Sequence, residues 1–240
     1  MLVFLQKVID VILPPRCLLC GKIVADQNGL CQECFDKIKF ISTPYCLKCG
    51  NPLPTGNSVQ SCSLCVSDNK NPFRMQRSRV YYDDASRPLI VDFKFHDKTE
   101  NAEFLTRWLL TAGHDIWQQG ADILIPVPVH ASRLRERKFN QAALLCKELS
   151  KLTQIQANYT VLQKTKKTKP QVECDSRTRV RNLKNAFSVN NIEELKDKRV
   201  VLIDDVMTTG STLKECANVL LKAGVKSVDA LTVARVIKNS

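Results

Sequence analysis

Two sets of residues in this 240-residue chain have the types and spacing to do chemistry. The first is cysteine. Eight of the eleven cysteines fall within the first 65 residues as four C-x-x-C pairs: Cys17/Cys20, Cys31/Cys34, Cys46/Cys49 and Cys62/Cys65. Ten residues separate the first pair from the second and twelve the third from the fourth, so each half repeats knuckle, short hairpin, knuckle. Two such turns present four thiolates tetrahedrally to one zinc ion, which predicts two structural Zn²⁺ ions with no open coordination position. Gly21 and Gly50 follow the second cysteine of each leading knuckle, where a glycine lets the backbone turn its amides toward sulfur. Asn28-Gly29 and Thr55-Gly56-Asn57 supply turn chemistry inside each hairpin. A disulfide framework needs an oxidising compartment, and nothing in the chain directs export. Pairing within each half is the simplest ligand arrangement, and a crossed one is also compatible with the spacing.

The second set is Asp204-Asp205 and the turn Thr208-Thr209-Gly210-Ser211-Thr212 that follows the apolar run Val200–Ile203. A buried strand here delivers two carboxylates to its exposed tip. The turn then offers hydroxyls and backbone N–H groups at a helix N-terminus, a cradle for a phosphate. Carboxylates would repel that phosphate, but they accept hydrogen bonds from vicinal hydroxyls. Phosphate at one end and a diol at the other describe ribose 5-phosphate. Capping of the helix alone would need only one acid.

Charge supports an anionic ligand without choosing it. The chain carries 36 Lys and Arg against 24 Asp and Glu, a net +12, which favours phosphorylated metabolites, nucleic acid or an anionic surface. Residues 1–70 are nearly balanced. Lys164–Lys184 holds eight basic residues with only Glu173 and Asp175 as acids, and Arg133, Arg135, Arg137 and Lys138 form a second cluster. Met1–Leu13 lacks a basic n-region and a cleavage site and is too short to span a bilayer. It reads as an amphipathic helix stopped by Pro14-Pro15 and docked on the body of the protein. No other stretch approaches a transmembrane span, and a cytoplasmic location is expected.

The elements that must position these groups follow from periodicity. Ser67–Pro72 is turn-rich and divides an N-terminal helix and double zinc ribbon (1–68) from an α/β domain (72–240). Strands are expected at Arg79–Tyr82, Asp122–Val127, Val161-Leu162, Ala186–Val189, Arg199–Ile203 and Val228–Val236, with helices at Pro88–Phe95, Thr99–Gln118, Asn140–Leu152 and Thr212–Ala223. This alternation implies an open, mostly parallel sheet with helices on both faces, binding ligand at the carboxyl ends of its strands. Cys146, Cys174 and Cys216 stand outside the zinc pattern and read as small buried hydrophobes. His130 fits either a ligand contact or a loop residue bonded to backbone.

The thirteen residues Val200–Thr212 resemble the phosphoribosyl-pyrophosphate signature of type I phosphoribosyltransferases at every position. Along nearly the whole chain the sequence is similar to the ComF competence family, which joins a double zinc ribbon to such a domain. Ile125-Pro126-Val127-Pro128-Val129-His130 with Arg133-Leu134-Arg135-x-Arg137 and Phe139-Asn140-Gln141 carry the likeness, as do Thr168-x-x-Gln171, Arg179-x-x-Asn182, Ala186-Phe187 and Lys94-Phe95-His96. Lys138 stands where the family usually has glycine, Cys174 replaces a usual leucine, and Lys164 and Lys166 stand where arginines are common.

The resemblance implies binding of phosphoribosyl pyrophosphate with Mg²⁺. Asp204 and Asp205 would be the catalytic pair on the ribose hydroxyls, Thr208–Thr212 would take the 5-phosphate, and Arg133, Arg135, Arg137, Lys164 and Lys166 would face the leaving group. The polar, basic stretch Lys164–Asp175 reads as a lid over that group. The resemblance also implies a role in natural transformation by one of three routes: a phosphoribosyltransferase with an unspecified acceptor, a single-stranded DNA-binding protein, or an adaptor for a competence helicase.

Overall fold

A computed structural model describes residues 14–25, 29–55, 60–68, 70–95, 101–166 and 186–237. The expected helix at Met1–Leu13, the turn residues Asn28, Gly56 and Asn57, His96, and the positions Thr168, Gln171, Cys174, Arg179 and Asn182 lie outside these residues, as does most of the expected lid. The side chains of Lys94, Phe95, Glu136 and Arg137 lie outside as well.

The ribbon comes first, and its two halves are built alike. Isolated antiparallel bridges Arg16↔Ile23 and Tyr45↔Pro52 close the leading knuckles. The trailing cysteines sit not on second knuckles but on short helices, α1 (Gln32–Lys37) and α2 (Ser63–Ser67). Cys31 and Cys62 occupy the two N-caps in nearly the same conformation, with φ −69° and ψ 160° against φ −75° and ψ 159°. A helical turn brings the third and fourth sulfurs to one side as well as a knuckle does, which is why spacing alone did not separate them.

Beyond the ribbon run β1 (Gln76–Tyr81), α3 (Arg87–Phe95), α4 (Asn101–Ala112), α5 (His114–Gln118), β2 (Ile123–Pro126), α6 (Ala131–Arg137) and α7 (Gln141–Thr153). The hairpin β3 (Leu162–Lys164) and β4 (Phe187–Val189) follows, then β5 (Arg199–Met207), α8 (Ser211–Lys222) and β6 (Ser227–Arg235). Strands β1-β6-β5-β2 form one parallel sheet in that order. The fold is the expected α/β class with a small double zinc ribbon ahead of it.

Period-two alternation divides the core. Val200, Leu202 and Ala230 face Leu213, Cys216, Ala217 and Leu220 of α8. Val201, Ile203, Leu231 and Val233 face Leu105 and Leu109 of α4 and Leu145, Cys146 and Leu149 of α7. Both cysteines are thus the buried hydrophobes expected of them. Each fully buried aliphatic side chain contributes about 1.5–3 kcal/mol. A carboxylate placed at the fully buried Leu202 would have no partner and would break the sheet.

Both sheet edges are covered. The ribbon lies along β1: Ile41 N–H donates to Arg79 O (2.8 Å), Tyr81 N–H to Lys39 O (2.9 Å) and Gln76 N–H to Lys48 O (2.8 Å). On the far edge, Leu124 N–H donates to Gln156 O and Asn158 N–H to Leu124 O, both at 2.9 Å. Covered edges remove a site of unwanted strand pairing.

Three elements differ from the sequence reading. The helix expected over Thr99–Gln118 is broken at Gly113, where a Cβ would lie 2.5 Å from the Trp117 ring. The absence of that Cβ lets Trp117 Nε1 donate to Leu110 O at 2.9 Å. The basic cluster at Arg133 forms the short helix α6, which apolar periodicity could not announce. Finally, β5 does not end before the acids but runs through them to Met207.

Candidate functional site

The sulfurs of Cys17, Cys20, Cys31 and Cys34 lie within 4.8 Å of one another, and so do those of Cys46, Cys49, Cys62 and Cys65. Ligands are therefore grouped within each half. In both halves the second and third sulfurs, Cys20/Cys31 and Cys49/Cys62, are 3.6 Å apart. That is far beyond a disulfide bond. It matches the edge of about 3.8 Å expected of a tetrahedron with zinc–sulfur bonds of about 2.3 Å. Burial alone would push the Cys17 and Cys46 thiols up. Backbone amides outweigh it and bring each down to about 6, from Cys31, Cys20 and Leu19 in one half and from Cys49, Cys62 and Lys48 in the other. Thiolate-directed amides at the same knuckle positions are what Gly21 and Gly50 permit, both at positive φ. The chain has a zinc ribbon with two four-cysteine sites.

The second centre is built at the carboxyl ends of β2 and β5. Pairing between them stops at Pro126↔Ile203, whereas β5 stays paired with β6 at Asp204↔Thr232 and Met207↔Arg235. The β2 side of β5 therefore opens at Asp204. Asp204 is half-buried on the α8 side, with Cys216 and Lys164 as electrostatic neighbours, and Asp205 is 8% exposed. The two acids lie within β5 rather than beyond its end, because the strand continues to Met207. Asp204 Oδ1 accepts the Asp205 N–H at 2.9 Å.

After Met207 the chain turns through Thr208, which is exposed, and Thr209–Thr212, which are half-buried. Gly210, the N-cap of α8, has φ +73°, and an added Cβ would meet only ordinary contacts, so its backbone angle alone favours glycine. Thr209 Oγ1 and Ser211 Oγ are 2.9 Å apart, and Ser211 N–H reaches Thr209 Oγ1 only at 3.4 Å. The N-cap glycine has no side chain with which to cap α8.

Basic groups reach the same place. Lys164, in the β3–β4 hairpin, has Arg133, Cys216 and Asp204 as its electrostatic neighbours. Burial first, and the Arg133 charge second, push its ammonium below the ordinary lysine value, against the pull of Cys216 and Asp204. The structure thus brings together Asp204, Lys164 and Arg133. Arg135 and Lys166 are exposed and close in sequence to these groups, and the side chain of Arg137 lies outside the described residues.

His130 acts as a helix cap: its Nδ1 accepts from Ser132 N–H at 3.2 Å. Asn140 caps α7 through Ala142 N–H (3.1 Å) and donates to Val127 O (3.1 Å), fixing the loop after β2. Lys138, in the position where glycine is usual in the family it resembles, takes φ +64°. A cavity of about 540 Å³ lies elsewhere, between ribbon and α5, with Tyr45, Leu47, Met75, Arg77 and Asp115 in its wall. The sequence reading did not single out Asp68 or Lys214, whose ion pair joins ribbon to α8 at 2.8 Å. No motif marks them, since the contact spans 146 residues.

Two four-cysteine centres followed by this sheet define a double zinc ribbon joined to a phosphoribosyltransferase-type domain. The double zinc ribbon domain family matches residues 8–66 and the phosphoribosyl transferase domain family residues 140–239. The chain is 35% identical over 226 residues to competence protein F of Haemophilus influenzae, covering 92% of this chain and 96% of that protein. It is 32% identical over 229 residues to DNA utilization protein YhgH of Escherichia coli K12, covering 93% and 98%. It is 27% identical over 238 residues to competence protein ComFC of Bacillus subtilis, covering 91% and 94%. The chain belongs to the ComF family of competence and DNA utilization proteins. Among the described residues no helix is long and apolar enough to cross a membrane.

Proposed function

We propose that this protein binds phosphoribosyl pyrophosphate with Mg²⁺ at the carboxyl ends of β2 and β5, and that it serves in DNA uptake during natural transformation. The observation that carries the reading is a half-exposed acid, Asp204, set near two cations and the glycine-capped start of α8. The 5-phosphate would take the amides and hydroxyls of Thr208–Thr212. Asp204 and Asp205 would accept from the ribose hydroxyls. Arg133 and Lys164 would stabilise the departing pyrophosphate, joined by Arg135, Arg137 and Lys166. A hard carboxylate at an open edge fits an oxygen-seeking cation, and Mg²⁺ bound through the ligand's own oxygens would neutralise pyrophosphate charge. The names of the relatives, competence protein and DNA utilization protein, support the cellular role.

Phosphoribosyl pyrophosphate with Mg²⁺, at about a hundred times its Kd, should raise the melting temperature by roughly 5–10 °C. Asp204→Asn/Asp205→Asn should abolish the rise. No shift at millimolar ligand contradicts the reading. Release of pyrophosphate with candidate acceptors then separates an enzyme from a ligand sensor.

The exposed basic residues Arg135 and Lys166 favour a second activity at the same rim, binding of single-stranded DNA. Such binding would weaken steeply with salt. It should fall on charge reversal at Arg135 and Lys166, and binding that survives the reversal contradicts this placement. A competence helicase would be sought as a partner of the ribbon, by pull-down with the intact chain and with a ribbon variant.

A further inference from the structure

The two zinc centres repeat one design, but among the described residues only the second touches the segment that frames the turn Thr208–Thr212. Just before the turn, Met207 Sδ lies 3.8 Å from Nε2 of Gln76, whose own N–H donates to Lys48 O inside the second leading knuckle at 2.8 Å. Arg235, paired with Met207 across the sheet, donates through Nη1 to the carbonyl of Cys49, a ligand of the second centre. Gly50 is pressed on the same strand, since a Cβ there would lie 2.5 Å from Gln76 O. Just after the turn, Lys214 closes the first bend of α8 by donating its N–H to Gly210 O at 2.8 Å. Its ammonium meets Asp68, the C-cap of the helix that carries Cys65, at 2.8 Å. The ion pair of the first half, Lys22–Glu33, closes within that half instead.

We propose that the second zinc centre positions the phosphate turn, holding its entry through Met207 and Arg235 and its exit through Asp68 and Lys214. Metal bound at Cys46, Cys49, Cys62 and Cys65 fixes Cys49 O and α2 relative to each other. Fixing those two points fixes both ends of the turn Thr208–Thr212. Asp68 and Lys214 are positioning residues, acting on ligand through the turn rather than by touching it. The inference deepens the ligand reading above and rests on it for its affinity arm only.

The test uses the full chain with zinc bound. Hydrogen exchange of the amides at 209–212 is read without ligand, and affinity for phosphoribosyl pyrophosphate with Mg²⁺ is read by calorimetry. Because Asp68 and Lys214 are partly exposed, a modest change is expected. Asp68→Lys should speed exchange at 209–212 and weaken binding by about threefold to tenfold. The swap Asp68→Lys/Lys214→Asp should restore both to within about twofold, which a general loss of fold would not. Glu33→Lys, the matching reversal in the first half, should change neither. Unchanged exchange in Asp68→Lys, or failure of the swap to restore it, overturns the inference. Restored exchange in a protein that binds no phosphoribosyl pyrophosphate overturns the ligand reading and leaves the positioning intact.

Discussion

The two halves of the ribbon carry the same ligands at nearly the same spacing, yet they live in different surroundings. In the first, Cys20 is exposed and Cys31 half-buried, and the nearby ion pair Lys22–Glu33 is exposed on both sides. In the second, Cys46, Cys49 and Cys62 are buried and pack with Leu53 and Cys65. Arg77 on β1 marks the joint with the α/β domain. Its guanidinium, 4% exposed, donates to Asp115 at 2.8 and 3.1 Å and to Leu47 O at 2.9 Å, and lies 4.9 Å from the centroid of Tyr45. Tyr45 in turn donates to Asp115 at 3.1 Å. The first half reaches the α/β core through Leu18, Leu19 and Leu30, whereas in the second the leading knuckle itself is built against β1. Metal-ligand chemistry sets each half, and long-range packing decides how each meets the rest.

The largest expected contrast is at the thiolates themselves. Structural zinc supplies folding energy directly, so losing a ligand unfolds what the metal holds. Cys49→Ser should lower the melting temperature of the whole chain by on the order of 10 °C, whereas Cys20→Ser should leave the α/β transition within about 2 °C of the parent. Calorimetric scans of the two variants check this, and equal losses would erase the distinction between the halves.

Next comes the joint. Arg77→Ala removes one partner from a buried ion pair and leaves Leu47 O without its donor, a loss of about 3 kcal/mol in chemical denaturation. A loss below about 1 kcal/mol would mean that the ribbon is held by metal and edge pairing alone.

The finest contrast compares two glycines at one motif position. Gly21 has φ +75° with nothing within 4 Å of a Cβ, and Gly50 has φ +68° with Gln76 O 2.5 Å away. Gly21→Ala should cost only the backbone strain, about 1 kcal/mol. Gly50→Ala should add a steric displacement of the knuckle from β1, for about 2–3 kcal/mol in all. Equal costs in parallel denaturant titrations would show that the second knuckle does not bear on the strand.

That pair of glycines also shows what could be read from the sequence. Spacing named all eight thiolates, and the structure groups them within each half. It could not say which leading knuckle presses on β1, because Gly21 and Gly50 hold the same place in the C-x-x-C-G motif and differ in what lies across the fold. Val200–Ile203 and its acids were legible as a buried strand leading to a charged site, since apolar runs and strand-to-helix punctuation are local. The continuation of β5 to Met207 was not legible, because pairing with β6 overrides the polarity of Asp204 and Asp205. Helix α6 was missed because its seven residues are mostly polar and its cap is a histidine. The Asp68–Lys214 contact had no local signal at all.

The central claim is that a sugar phosphate sits where β2 lets go of β5. A crystal structure of the protein with phosphoribosyl pyrophosphate and Mg²⁺ tests it most directly. The expected result is the 5-phosphate on the amides at 209–212 and a ribose hydroxyl on Asp204. Ligand bound instead in the cavity between ribbon and α5, with the turn empty, would contradict it.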